Sequence, residues 1–325
     1  MGGWSSDSGS ARDYDWSSSS RVTKKSAREY ASEDKRAYSK QEDKGINAPV
    51  NKDIKTDSEM ALILVVDVTG SMREWPKTIF QKIPTLYAEA NASIQGYDPK
   101  ELEKDKTKAK TLEDKLEMAV IAIGDTHHDQ YPLQVVDFSK GGELVKGINK
   151  IFPEGGGGPF GKESYGLAAY YLDKHCKTPN ASKGQKPILV FACDEDFYDS
   201  VSIHDAKKYT GDTISNAQNS DNIIKHLAKD FDLYILRPEP QGSNGVYEGA
   251  EKHWKEVVMP EKVMKMNSPN RLVDCIIGIC GYASGNFEKA KGMLERRQTP
   301  EQVKEVLATL HPLLSKKDNA TKAEK

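Results

Sequence analysis

Three oxygen-bearing side chains stand at alternate positions in Asp67-Val68-Thr69-Gly70-Ser71, directly after the apolar run Leu62-Ile63-Leu64-Val65-Val66. A carboxylate and two hydroxyls are hard oxygen donors, the kind that Mg²⁺ or Mn²⁺ takes. Mg²⁺ keeps several waters in near-octahedral geometry, so a few protein oxygens suffice, and partial ligation leaves a position for an oxygen from another molecule. The same residues also suit a helix start, since Asp, Ser and Thr are preferred N-caps. A second acid in the same setting argues for the ion: Pro187-Ile188-Leu189-Val190-Phe191-Ala192-Cys193 ends in Asp194, with Glu195 and Asp196 next. Both acids close apolar runs that read as buried parallel strands, and ligands of open α/β sheets collect at those carboxyl ends.

Two further segments belong on the same rim. Pro153-Glu154-Gly155-Gly156-Gly157-Gly158-Pro159-Phe160-Gly161-Lys162-Glu163-Ser164 is a loop whose glycines allow close backbone approach to an ion or a phosphate. Its glycines do not complete the phosphate-binding pattern Gly-x-x-x-x-Gly-Lys-Ser/Thr, because Gly161-Lys162 is followed by Glu163. Gly124-Asp125-Thr126-His127-His128-Asp129 follows another apolar run and reads either as extra ligands, with His127 suited to a transition metal, or as a polar hairpin turn. Adjacent Asp and His residues on a turn point in different directions and cannot all serve one ion.

The elements that must position these groups alternate between strand and helix. Strands are expected at 61–67, 116–124, 133–138, 188–193 and 231–236, with helices at 76–94, 142–151, 162–174, 213–229, 247–257 and 270–282. Such alternation predicts an α/β, Rossmann-like, doubly wound and mostly parallel central sheet. Pro132 follows Gly124 too closely for a crossover, so the third strand is expected as an antiparallel edge strand. Residues 1–57 are Ser-, Asp-, Lys- and Arg-rich with few aliphatic side chains, which predicts a disordered tail, with a charged helix over 24–44 as the less favoured reading. The domain then runs 58–285, a helical extension over 286–314 carries an apolar stripe expected to lie against it, and 315–325 is expected as a second disordered tail.

The strand-end Asp67-x-Thr69-x-Ser71, with Asp194 closing the fourth strand, resembles the metal-ion-dependent adhesion site of the von Willebrand factor A family, whose usual form is Asp-x-Ser-x-Ser. The resemblance covers about residues 59–285 and implies that family's fold, with strands in the order three-two-one-four, so that Asp67 and Asp194 meet across one crevice. It implies an Mg²⁺ or Mn²⁺ held by Asp67, Thr69, Ser71 and Asp194, through which the domain captures a partner's Asp or Glu. It further implies an intracellular adaptor whose partner is a protein, with an AAA+ ATPase as one candidate. The family's third metal loop supplies a threonine that this chain lacks, and Glu163 or Ser164 stands near that place, with Asp125 and His127 as additional rim groups.

Asp67-Val68-Thr69-Gly70-Ser71 also resembles the phosphorylated-aspartate loop of haloacid dehalogenase-like phosphatases, which would make Asp67 an Mg²⁺-assisted nucleophile. The strand expected after Pro132, where that fold needs a helix, and the lack of a suitably placed lysine count against it. A structural block with an empty site is the third reading, and a non-enzymatic binding module is the expected function. Forty-seven basic and 49 acidic residues are interspersed, without the basic stripe that nucleic acid needs. No run approaches a membrane span and no leader pattern opens the chain, so a soluble, cytoplasmic protein is expected. Cys176, Cys193, Cys275 and Cys280 form no Cys-x-x-Cys pair and read as reduced, mostly buried thiols.

Overall fold

The computed structural model describes residues 47–72, 74–99, 114–152, 154–158, 161–181, 185–239 and 245–323. Residues 1–46 of the tail expected over 1–57, with its charged helix, lie outside the described residues. Six strands form the central sheet: β1 (Met60–Asp67), β2 (Leu116–Ile123), β3 (Leu133–Ser139), β4 (Ile188–Ala192), β5 (Asp232–Pro238) and β6 (Val263–Met266). Their order is β6-β5-β4-β1-β2-β3, and every pairing is parallel except β2 with β3, the antiparallel edge expected from Pro132. From β1 the chain builds β2 and β3 on one side and then returns to lay β4 on the other, so the topological switch point lies between the ends of β1 and β4.

Side-chain alternation along the strands builds two cores. Leu62, Leu64 and Val66 face one layer, made by α1 (Trp75–Gln95), α2 (Gly141–Ile148), α6 (Leu272–Ala283), α7 (Phe287–Arg297) and α8 (Pro300–Ala323). Ile63 and Val65 face the other, made by α3 (Tyr165–His175), α4 (Ser220–Asp230) and α5 (Gly245–Val257). A strand covered on both faces must be apolar at successive positions, which is why β1, β2 and β4 read as continuous hydrophobic runs.

Several boundaries differ from the sequence reading. Ile54–Lys55 pairs in parallel with Cys176–Lys177, and Ile54 is fully buried, so the ordered domain begins before residue 58. One apolar side chain among polar ones is enough to anchor that segment when a groove takes it. The helix expected from Lys162 starts at Tyr165, because Lys162–Glu163 pairs with Asp196–Phe197 instead. The helix expected from Thr213 starts at Ser220, where the Asn219 side chain accepts from the Asn222 N–H at 2.9 Å. The apolar stripe of the 286–314 segment lies against the domain as expected: Phe287, Ala290, Leu294, Val306 and Leu310 belong to the same core as α1 and α6. The tail expected from residue 315 continues α8 through Ala323, in a stretch rich in Lys and Ala, which favour helix. Strand β6 was not anticipated, since Val263-Met264-Lys265-Met266 is too short to show a period. Among the described residues no helix is long and apolar enough to cross a membrane.

Candidate metal centre at the carboxyl edge of the sheet

The parallel register sets the geometry of the site. Val66 pairs with Ala192, so Asp67 and Asp194 leave adjacent strands one and two residues later and enter the same crevice. Asp67 is fully buried and Asp194 nearly so. The loop after β1 folds back on its own acid: the Thr69 N–H and Oγ1 both donate to Asp67 Oδ1, at 2.7 and 2.6 Å. Thr69 Oγ1 lies 3.0 Å from Ser71 Oγ, and the Ser71 hydroxyl is near enough to the Asp194 carboxylate to favour its ionised form. Ser71 is exposed while Thr69 is buried, so the donors run from the floor of the crevice to its mouth. All four residues expected to hold an ion are thus brought together.

Tyr165, at the start of α3, completes the floor. Its hydroxyl donates to Asp67 Oδ2 and lies 3.5 Å from Asp194 Oδ1, bridging the two acids. Burial first, and the neighbouring Asp194 charge second, push the Asp67 carboxyl well above the usual carboxylate range. Burial likewise raises Asp194. Arg237 is the nearest guanidinium, only 2% exposed, but its N–H groups go to the main-chain carbonyls of Asp194 and Glu195. It holds the strand ends in place rather than pairing with a carboxylate. Neither residue was singled out from the sequence. Arg237 carried a signal, a charge directly closing the apolar run of β5, whereas Tyr165 carried none beyond its place after the glycine loop.

The glycine loop closes one side by backbone contact. Gly70 N–H donates to Gly156 O at 2.6 Å and Gly155 N–H to Val68 O at 2.9 Å. A Cβ on Gly70 would stand 2.8 Å from Gly155 O, so the approach requires glycine there. Gly157, with φ +116°, lies against both Thr69 and Glu163: a Cβ placed on it would meet Glu163 Oε1 at 3.0 Å and Thr69 Cβ at 3.3 Å.

The rim residues divide. Ser164 turns away, its Oγ accepting from the Thr126 N–H at 2.9 Å. The Asp125 carboxylate is buried and occupied: Oδ2 meets His128 Nδ1 at 2.5 Å, and Oδ1 accepts from the His127 N–H at 3.0 Å and the Tyr198 hydroxyl at 3.2 Å. His127 is exposed and sets its ring edge-on to Tyr198, 4.8 Å between centroids, so it belongs to the outer wall. Glu163 behaves differently. It is 1% exposed, and its Oε2 has no hydrogen-bond partner among the described residues. Burial and the charges of Asp67, Asp125, Glu195 and Asp129 push its carboxyl up to about 10. Glu195, whose Oε2 is also buried without a partner, is raised to about 7 by burial and by Asp194.

These residues fit a divalent cation by their chemistry. Two strand-end carboxylates face each other with hydroxyls bonded to them, and orphaned carboxylate oxygens adjoin. Among the described residues no lysine, arginine or histidine side chain pairs with Asp67, Asp194, Glu163 or Glu195. No cluster of three His, Cys, Asp or Glu side chains with metal-binding geometry occurs among the described residues, so any ion here depends on the hydroxyls of Thr69 and Ser71 as well. The arrangement gives less to a phosphoryl-accepting nucleophile: both Asp67 oxygens already accept hydrogen bonds, from Thr69 and from Tyr165.

The class defined by this fold is an open, mostly parallel α/β sheet with an acid-and-hydroxyl crevice at its switch point. No family model matches the chain, and no curated protein is similar to it in sequence. Among solved structures it is similar to proximal thread matrix protein 1 from the mussel byssus, at 12% identity and TM-score 0.43 over 70% of this chain and 49% of that one. It is also similar to the pilus adhesin SpaC from Lactobacillus rhamnosus GG in its open conformation, at 11% identity and TM-score 0.45 over 75% and 31%. A von Willebrand factor type A protein from Catenulispora acidiphila matches at 14% identity and TM-score 0.34 over 70% and 43%. The chain thus spans less than half the length of each. At TM-scores below 0.5, these likenesses carry no residue roles over to this chain.

Proposed function

We propose that the chain is a metal-dependent protein-binding module, in which Asp67, Thr69, Ser71 and Asp194 hold an Mg²⁺ or Mn²⁺ that takes an Asp or Glu from a partner protein. One observation carries this reading: two buried carboxylates from adjacent strands converge with two hydroxyls, and the buried Arg237 beside them eases the charge of Asp194 while its N–H groups go to main-chain oxygens, so that neither acid forms an ion pair among the described residues. Two such acids destabilise each other unless a cation joins them. A bound divalent ion supplies exchangeable coordination positions for an outside oxygen. The chain's own groups do the rest. Tyr165 orients Asp67, Arg237 fixes the strand ends, and the backbone contact between Gly70 and Gly156 keeps the hydroxyl loop in register. No step in this reading needs a nucleophile, so binding rather than turnover is the expected activity.

The test is a thermal melt of the full chain in EDTA, Mg²⁺ and Mn²⁺, on wild type and Asp67→Ala. An ion that binds only the native state stabilises it by about 2.7 kcal/mol at a hundred times its dissociation constant. A midpoint that rises with the ion in wild type and not in the variant supports the reading. An equal response in both variants rejects the site, and no response in either shifts the assignment to a structural role.

A further inference from the structure

We infer that His175 is a proton-operated clasp that fastens residues 47–57 as a strap along the open edge of the central sheet. β3 ends that sheet, and its Val135 N–H donates to Asn47 O at 2.7 Å. Lys52 pairs with Asp137 of the same strand at 3.5 Å, and Ile54 is fully buried. Between them Asn51, with φ +56°, donates its N–H to Thr210 O at 2.8 Å, and the Tyr171 hydroxyl donates to Lys52 O at 3.0 Å. An edge strand with unpaired N–H groups invites another chain to pair with it, and the strap stands in that place. Nothing here depends on an ion in the crevice.

His175, at the end of α3, closes the strap. Its Nδ1 lies 2.8 Å from Asp53 Oδ1 on the strap, and its Nε2 lies 2.9 Å from Asp212 Oδ2 on the loop after Thr210. The ring is stacked on Tyr171 and only 13% exposed. A carboxylate can only accept, so both contacts are hydrogen bonds only when both ring nitrogens carry protons. The neutral ring has one N–H and turns a lone pair toward the other acid. The groups around the ring keep their own states while it titrates. Hydrogen bonds from Lys177 and from His175 hold Asp53 below the usual carboxylate range. Burial works to raise Asp212, but hydrogen bonds from His175, Tyr170 and Thr210 outweigh it and hold that acid low. Burial pushes the Tyr170 and Tyr171 hydroxyls up and the Cys176 thiol to about 12, so these stay neutral. Deprotonation therefore breaks the bridge between strap and loop, while Lys177 keeps Asp53 and Tyr170 keeps Asp212. The strap is tightest while the ring is protonated, and residues 47–53 loosen from β3 as pH rises.

The experiment is amide hydrogen exchange of the full chain from about pH 5 to pH 9, with each rate normalised to its intrinsic value at that pH. It is run on wild type, His175→Gln and Asp212→Asn, beside an NMR titration of the His175 ring. In wild type, protection of the Asn51 and Val135 amides should fall about fivefold relative to β1 amides as the ring loses its proton, the scale of a partly exposed charge pair. Both variants should show the lower protection throughout, with no step. Level protection across the ring's titration in wild type, or a step that survives in His175→Gln, refutes the clasp. A ring that keeps one protonation state over the whole interval overturns it too. Should a variant fail to fold, the wild-type data decide alone, because a protection step whose midpoint departs from that of the ring belongs to another group.

Discussion

Where α6 meets α7, Asp274 is as buried as Asp194, yet it accepts from Arg271 Nη1 at 3.1 Å and from Arg297 Nη2, and Arg297 also faces Glu89. Gln298 adds a bond from its amide to Asp274 Oδ1 at 3.4 Å, while its own oxygen accepts from Arg271 at 2.6 Å. Two acids there meet two guanidinium groups. At the carboxyl edge, Asp67, Asp194 and Glu163 meet hydroxyls, a phenol and one another, and the single nearby guanidinium bonds to main-chain oxygens. The same domain therefore carries one set of buried acids in direct ion pairs, with Glu89 Oε2 alone left without a hydrogen bond, and another whose one buried guanidinium neighbour, Arg237, acts through space and forms no ion pair with them. Burying a carboxylate costs several kcal/mol in either place, so the difference lies in what offsets it. A structural ion network offsets it during folding, whereas a binding site leaves part of it to the ligand.

The largest effect that separates the two regions comes from breaking the neutralised one. Arg297→Ala leaves Asp274 and Glu89 buried with less countercharge and should cost about 3–5 kcal/mol in urea unfolding. In EDTA, Asp67→Asn removes one of two facing like charges and should change stability by less than about 1 kcal/mol, in either direction. Equal losses from both substitutions would mean that the crevice is held together internally like the α6–α7 seam, and the contrast would fail.

How far this was legible in the sequence depends on which link is asked. Continuous apolar runs marked β1, β2 and β4, and the acids closing β1 and β4 located the crevice, because a doubly covered strand has no other composition available. The edge position of β3 followed from the short connection through Pro132. What the sequence did not disclose was tertiary. Nothing in Val263-Met264-Lys265-Met266 announces a strand, and Ile54 is anchored only because Cys176–Lys177 lies beside it. At the site, Ser164 and Glu163 are neighbours with similar claims as donors, and only the fold of the loop sends one to Thr126 and the other toward Thr69. Tyr165 bridges Asp67 and Asp194 from a helix whose start was expected three residues earlier, at a boundary that local pattern reading places poorly.

A smaller effect sharpens the contrast through pH. Glu195 is raised to about 7 and Glu163 to about 10, chiefly by burial. In the unfolded chain both acids ionise near pH 4.3, while in the folded chain they hold their protons longer. The stability linked to them is therefore complete below that value. It falls as pH rises through about 7 for Glu195 and onward toward about 10 for Glu163. In EDTA the midpoint should drop between pH 5 and pH 8, and Glu163→Gln should flatten the slope. Saturating Mn²⁺ should do the same in wild type, because a cation in the crevice favours the ionised acids. A midpoint that stays level over that interval in EDTA would show that the fold does not hold these acids in their protonated form.

The smallest effect asks whether local strain and site geometry can be told apart, using one glycine from each region. Gly285, in the turn between α6 and α7, has φ +75° and open space around a would-be Cβ, so Gly285→Ala adds only left-handed strain, about 1–2 kcal/mol. Gly157 has φ +116°, and its Cβ would press on Glu163 Oε1 and Thr69. Both substitutions should lower the melting midpoint by a few degrees in EDTA. Only Gly157→Ala should also shrink the Mn²⁺-dependent rise, since it moves a carboxylate and a hydroxyl that belong to the crevice. If the two variants lose stability alike and both keep the full ion response, the glycine loop is a spacer, and the placement of Glu163 beside Thr69 has no bearing on what the site binds.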